Sequence, residues 1–141
     1  MQDILSVFGQ PSGVSAPMKE IVIAHGAPRG AGPYSQGLKV GNLVFVSGQG
    51  PFDPATNQIV SGGIEEQVRR TLTNVREILM AAGTNMSRVV KVNAYLSDMK
   101  YFDTFNKVYA EFFHEPYPCR TTVSAQLLGM DVEIDCIATL D

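Results

Sequence analysis

Apolar residues recur at steps of three and four from Ile64 to Ala82: Ile64, Val68, Leu72, Val75, Leu79 and Ala82. That spacing lines one face of a long helix, and such a stripe must lie against an apolar partner. Glu65 and Glu66 fall in the first turn, where the helix dipole favours anions, and Gly83 is placed as the C-terminal cap. The partner is supplied by runs of period two. Lys19 to Ile23 reads as a first strand, and Gln36 to Val40 and Leu43 to Ser47 as a hairpin about Gly41-Asn42. Asn57 to Val60 is expected to add a short edge strand. In Val89 to Leu96, Val90, Val92, Ala94 and Leu96 are expected on one side, with Lys91, Asn93 and Tyr95 on the other. A second helix is expected from about Met99 to Phe113, capped by Ser97 or Asp98 and stopped by Pro116 and Pro118, with Phe102, Phe105, Val108, Tyr109 and Phe112 as its stripe.

The last stretch, Pro118 to Ala138, carries the chemistry. Arg120 directly follows Tyr117-Pro118-Cys119 and precedes the β-branched Thr121, Thr122 and Val123, and Val132 to Ala138 alternates so that Glu133 and Asp135 share one face while Val132, Ile134 and Cys136 share the other. Pairing of these two runs as an antiparallel hairpin around Leu127 to Met130 would bring the guanidinium and a carboxylate toward one cleft. Arginine grips a carboxylate through two parallel hydrogen bonds, and glutamate moves a proton or orients water. The competing reading of the same residues is a strand arginine in a surface salt bridge. His25 and His114 are lone and far apart in sequence.

Two helices and about six strands in this order predict an α+β fold, a mostly antiparallel sheet with both helices on one face. The semi-polar outer face of the sheet is expected to be an oligomer contact. Residues 1–19 read as an N-terminal extension and 20–141 as a single domain. A net charge of −3 argues against nucleic acid as a partner. The two cysteines, Cys119 and Cys136, lack metal-site spacing and read as free buried thiols, so no metal is expected. The N-terminus has no signal-peptide pattern and no apolar run is long enough to span a bilayer, so a soluble, cytoplasmic protein with no membrane partner is expected. There is no P-loop and no GxSxG elbow.

Several short motifs then occur in a familiar order: Gly32-Pro33-Tyr34-Ser35-Gln36, Val46-Ser47-Gly48-Gln49, Glu66-Gln67, Ala81-Ala82-Gly83, Val90-Lys91-Val92, Asn106 to Phe113, Pro118-Cys119-Arg120 and Val132-Glu133-Ile134. From about Ala27 to Ala138 the chain resembles the RidA/YjgF family of enamine/imine deaminases. The resemblance implies a chorismate-mutase-like fold assembled as a homotrimer, with a central β-barrel and clefts between subunits. It implies hydrolysis of reactive 2-imino or 2-enamino acids to 2-oxo acids and ammonia, without metal or organic cofactor. The carboxylate-binding arginine falls on Arg120, the water-orienting glutamate on Glu133, and further substrate contacts on Tyr34, Gly48, Gln49 and Asn106. Thr122 stands where the best-known members often carry a cysteine. The segment from Arg120 to Glu133 is shorter than in those members, and Gly50 follows the Ser-Gly-Gln motif. These departures point to a different pocket, for a larger or dicarboxylic substrate, with 2-aminomuconate as one candidate. The alternative function is a non-catalytic trimer that binds small acids or regulates, in a chaperone-like or translation-inhibiting role.

Overall fold

The computed structural model describes residues 18–141; the apolar turn expected near Ile4 to Phe8, and most of the expected extension, lie outside them. Six strands form one sheet: β1 (Glu20–Val22), β2 (Gly37–Val40), β3 (Leu43–Gln49), β4 (Val89–Leu96), β5 (Cys119–Ser124) and β6 (Val132–Thr139). Their order across the sheet is β1-β2-β3-β6-β4-β5. All neighbours pair antiparallel except β4 and β5, which run parallel. The helices are α1 (Ile64–Ala82) and α2 (Phe102–Tyr109).

The expected hairpin between the last two strands does not form. β4 lies between β5 and β6, pairing with β5 on one edge and β6 on the other. The chain from β5 to β6 crosses over β4 instead of turning back beside it. The reason is burial: β6, with every second residue inward, takes the middle of the sheet, while β5 is mostly exposed and takes the edge.

α1 and α2 cover one face. Val68, Leu72, Val75 and Leu79 of α1 meet Val44, Val46, Val92, Ala94, Ile134 and Cys136 of the sheet in a core that excludes water. Ile64 is only partly buried, while Ile78 joins the core. Gly83 ends α1 at φ 91°, the left-handed conformation that glycine adopts without steric cost. In β4 a bulge falls between Val89 and Lys91, so Val89 turns inward and Val90 outward, the reverse of the expected facing for Val90. The second helix starts as a 3-10 turn, Met99–Tyr101, capped by Asp98, and its α-helical part ends at Tyr109. Asn57 to Val60 yields no strand, only the isolated bridge Phe52–Ile59. Cys136 is buried as expected, but Cys119, on the edge strand, is exposed. No helix among the described residues is long and apolar enough to cross a membrane.

A polar line, Gln67, Thr71 and Asn74, runs buried along α1. Asn74 is fully buried, and its amide Nδ2 donates to the carbonyls of Gly50 (3.0 Å) and Phe52 (2.9 Å). It ties the loop after β3 to the helix. Asn74→Ala would strand the buried Gly50 carbonyl, at a cost of about 1–3 kcal/mol. A lower urea midpoint with an unchanged slope is the expected result in equilibrium unfolding.

Candidate active site

Arg120 lies on the helix-covered face of β5. Val92, whose side chain is in the core, is its register partner, and Cys136 lies beyond on β6. Its guanidinium carbon sits 4.7 Å from the Tyr109 ring centre, 5.1 Å from that of Phe105 and 5.8 Å from that of Phe102. Stacking on α2 fixes the guanidinium plane and favours the cation over the rings' negative faces. Nη2 donates to Asn106 Oδ1 at 2.7 Å. With Asn106, Tyr109, Ala110, Tyr117 and Pro118, Arg120 lines a cleft of about 310 Å³. Burial pushes the Tyr109 phenol up to about 12, with Arg120 pulling the other way, so it stays neutral beside the guanidinium. Thr122 shares Arg120's face, opposite Ala94, and its buried hydroxyl has no hydrogen-bond partner among the described residues.

Glu133 lies on the opposite, uncovered face, beside Tyr95 of β4. The expected meeting of Arg120 and Glu133 within one chain therefore does not occur. Glu133 instead lines a cleft of about 210 Å³ with Tyr34, Gly48, Gln49 and Met130. Gly48 makes this approach possible: a Cβ there would stand 2.8 Å from Glu133 Oε2. A bulge between Val46 and Gln49 turns the end of β3 toward the carboxylate. Gln49 is buried, and its amide donates to the Ser47 carbonyl at 3.2 Å. Tyr34 is half-exposed; its ring lies over Gly30, where a Cβ would come within 2.7 Å, and its hydroxyl accepts from Ala31 N at 3.2 Å.

Two anchors hold this cleft. Gln36 Nε2 donates to the carbonyls of Ala24 (3.0 Å) and Pro28 (2.9 Å), pinning the loop before Tyr34. Gln67 exchanges hydrogen bonds with Asp131, Nε2 to Oδ2 at 3.1 Å and Asp131 N to Oε1 at 2.9 Å, which locks the start of β6 two residues before Glu133. In the sequence Gln36 and Gln67 stand out only as members of the motifs Gly32 to Gln36 and Glu66-Gln67, and neither motif marks an anchoring role. The available signal was the spacing of Gln67, Thr71 and Asn74 along an otherwise apolar helix face. The structure thus groups Arg120 with Asn106 in one cleft and Glu133 with Tyr34, Gly48 and Gln49 in another. Among the described residues no cluster of three or more His, Cys, Asp or Glu side chains could hold a metal ion.

The sequence profile of the family described as endoribonuclease L-PSP matches residues 24–140. The chain belongs to this family, that of the RidA proteins. A RutC family protein of Pyrococcus horikoshii is 47% identical over 123 residues, covering 86% of this chain and 98% of the relative. The bovine relative named 2-iminobutanoate/2-iminopropanoate deaminase is 40% identical over 127 residues, covering 89% of this chain and 93% of its own. Among solved structures, E. coli TdcF with bound serine superposes with a TM-score of 0.80 at 37% identity, covering 85% and 98% of the two chains. The RidA-family fold thus accounts for the mixed sheet and its two helices.

In this RidA-family chain, burial raises the Glu133 carboxyl above its ordinary value, and the neighbouring Asp135 carboxylate raises it further. Removing that charge favours the ionised form. In Asp135→Asn the Glu133 carboxyl should titrate at lower pH than in the wild-type chain. Carbon-detected NMR of the carboxyl resonances reads this directly; an unmoved or higher midpoint would contradict it.

Proposed function

We propose that the chain is an enamine/imine deaminase whose active sites form between chains. The observation that carries this is the division of the site: an arginine half on the helix-covered face and a glutamate half on the open face, in a family with relatives named deaminases. Three chains assembled through their open faces would join the Arg120 half of one with the Glu133 half of the next. An apolar row supports this assembly. Ile21, Leu38, Phe45 and Ile137 stand side by side across β1, β2, β3 and β6, with Ile21 58% and Phe45 39% exposed.

The reaction follows from the groups. A 2-imino acid carries a carboxylate beside an electrophilic C=N carbon. Arg120, its plane fixed by the α2 rings, holds the carboxylate, with Asn106 and the Thr122 hydroxyl beside it. Glu133 takes a proton from water as the water oxygen bonds to the imine carbon, giving a tetrahedral aminoalcohol. That proton passes to nitrogen; a second then moves from the new hydroxyl to nitrogen through Glu133 as the carbonyl forms and the C–N bond breaks, so that ammonia leaves and the 2-oxo acid remains. Tyr34 and the backbone at Gly48 and Gln49 wall the cleft. Orientation supplies much of the acceleration, because the imine is already reactive. The shortened Arg120–Glu133 segment and Gly50 support a longer substrate within this class, 2-aminomuconate among the candidates.

Binding of small acids without turnover is a second reading, favoured by the solved relative that holds serine. Nucleic-acid hydrolysis, the activity in the family's description, fits less well, since a net charge of −3 opposes phosphate binding.

Ammonia release from 2-iminobutanoate, generated in place by an amino acid oxidase, tests the proposal. Arg120→Ala is expected to lower kcat/KM by about 100-fold, roughly 3 kcal/mol of lost charge-assisted binding. Glu133→Gln should lower kcat by about 100-fold or more. Binding with no acceleration over the uncatalysed rate would favour the second reading.

A further inference from the structure

The glutamate cleft has a cationic end that the proposed reaction does not use. Arg29 and Asn57 line it together with Glu133, Tyr34 and Met130. Both also line the adjoining cavity beside β1, so they form the ridge between the two. Arg29 makes no ion pair with any described acidic residue. Asn57 is held in the left-handed conformation at φ 58°, its N–H donating to the Asp53 carbonyl at 2.7 Å. That turn fixes where its side chain starts. The nearby Asp53 carboxylate is engaged with Ala55 N at 2.7 Å. Gly30, Ala31 and Gly50, with small or no side chains, also line this cleft of about 210 Å³. That volume holds several water-sized groups, more than a methyl or ethyl side chain fills.

We infer that Arg29, with Asn57, forms a subsite for a second carboxylate and selects 2-imino dicarboxylic acids over monocarboxylic ones. The inference rests on the deaminase reading for its orientation: Arg120 takes the carboxylate beside the imine carbon, Glu133 faces that carbon, and the substrate's side chain runs on toward Arg29. A planar guanidinium with an amide beside it matches a carboxylate, and a cation at that end also offsets the negative charge of Glu133 that a dianion would meet.

Two measurements on wild type, Arg29→Ala and Arg29→Lys test it. The first is calorimetric binding of 2-oxoglutarate and 2-oxobutanoate, which needs no turnover. The second is the ratio of kcat/KM for the glutamate-derived imine to that for 2-iminobutanoate. Wild type is expected to prefer the dicarboxylic ligand. Arg29→Ala should lower both the binding ratio and the kcat/KM ratio by about tenfold, a loss of roughly 1.4 kcal/mol. Arg29→Lys should restore part of it. Ratios unmoved by Arg29→Ala, or a wild type that prefers the monocarboxylic ligand, would overturn the subsite. An Arg29-dependent binding preference without ammonia release from either imine would keep the subsite and overturn the deaminase reading.

Discussion

β6 is hydrogen-bonded on both edges, to β3 on one side and β4 on the other, and this double pairing sets the facing of the strand residues near the site. Slipping the register by one residue would put Glu133 and Asp135 into the core and Ile134 and Cys136 into water. Burial of Val132, Ile134, Cys136 and Ala138 under the helices forbids that slip. The same register makes Val92 the neighbour of both Cys136 and Arg120 and so places Arg120 on the covered face. One strand pairing thus separates the arginine from the glutamate within a chain.

The consequences differ on the two faces. On the covered side Arg120 sits among aromatic rings on α2, where its plane is fixed and one N–H is taken by Asn106. On the open side Glu133 is partly desolvated beside Asp135, so its proton is held more tightly than in an ordinary glutamate. A cation held rigidly and a carboxyl tuned upward are complementary parts for addition of water to an imine. Under the proposed deaminase reading, their separation makes an assembly of chains part of the mechanism.

Much of this was legible in the sequence. The period of α1, the hairpin about Gly41-Asn42 and the alternation of β6 all state their own structure locally, and the structure agrees with them. Arg120 and Glu133 were visible as chemistry because each interrupts a β-type run with a charge. What the sequence hid were relations between distant segments. Nothing near Arg120 states that β4 will lie between β5 and β6, and a short connection about Leu127 to Met130 reads more simply as a hairpin. The bulge at Val89 to Lys91 shifts facing without a glycine or proline to mark it. Gln67, Asn74 and Gln36 act on loops far from themselves in sequence, so their partners emerge only from the fold.

The most direct measurement is complementation between two inactive chains. Arg120→Ala and Glu133→Gln would carry different tags, be unfolded and refolded together, and be purified through both tags in turn. In a ring of three built from both variants, one cleft receives Arg120 from one chain and Glu133 from its neighbour. About a third of wild-type imine turnover should return in the mixed oligomer. Mixed oligomers no more active than either variant alone would show that the two residues do not serve a shared cleft and would contradict the account.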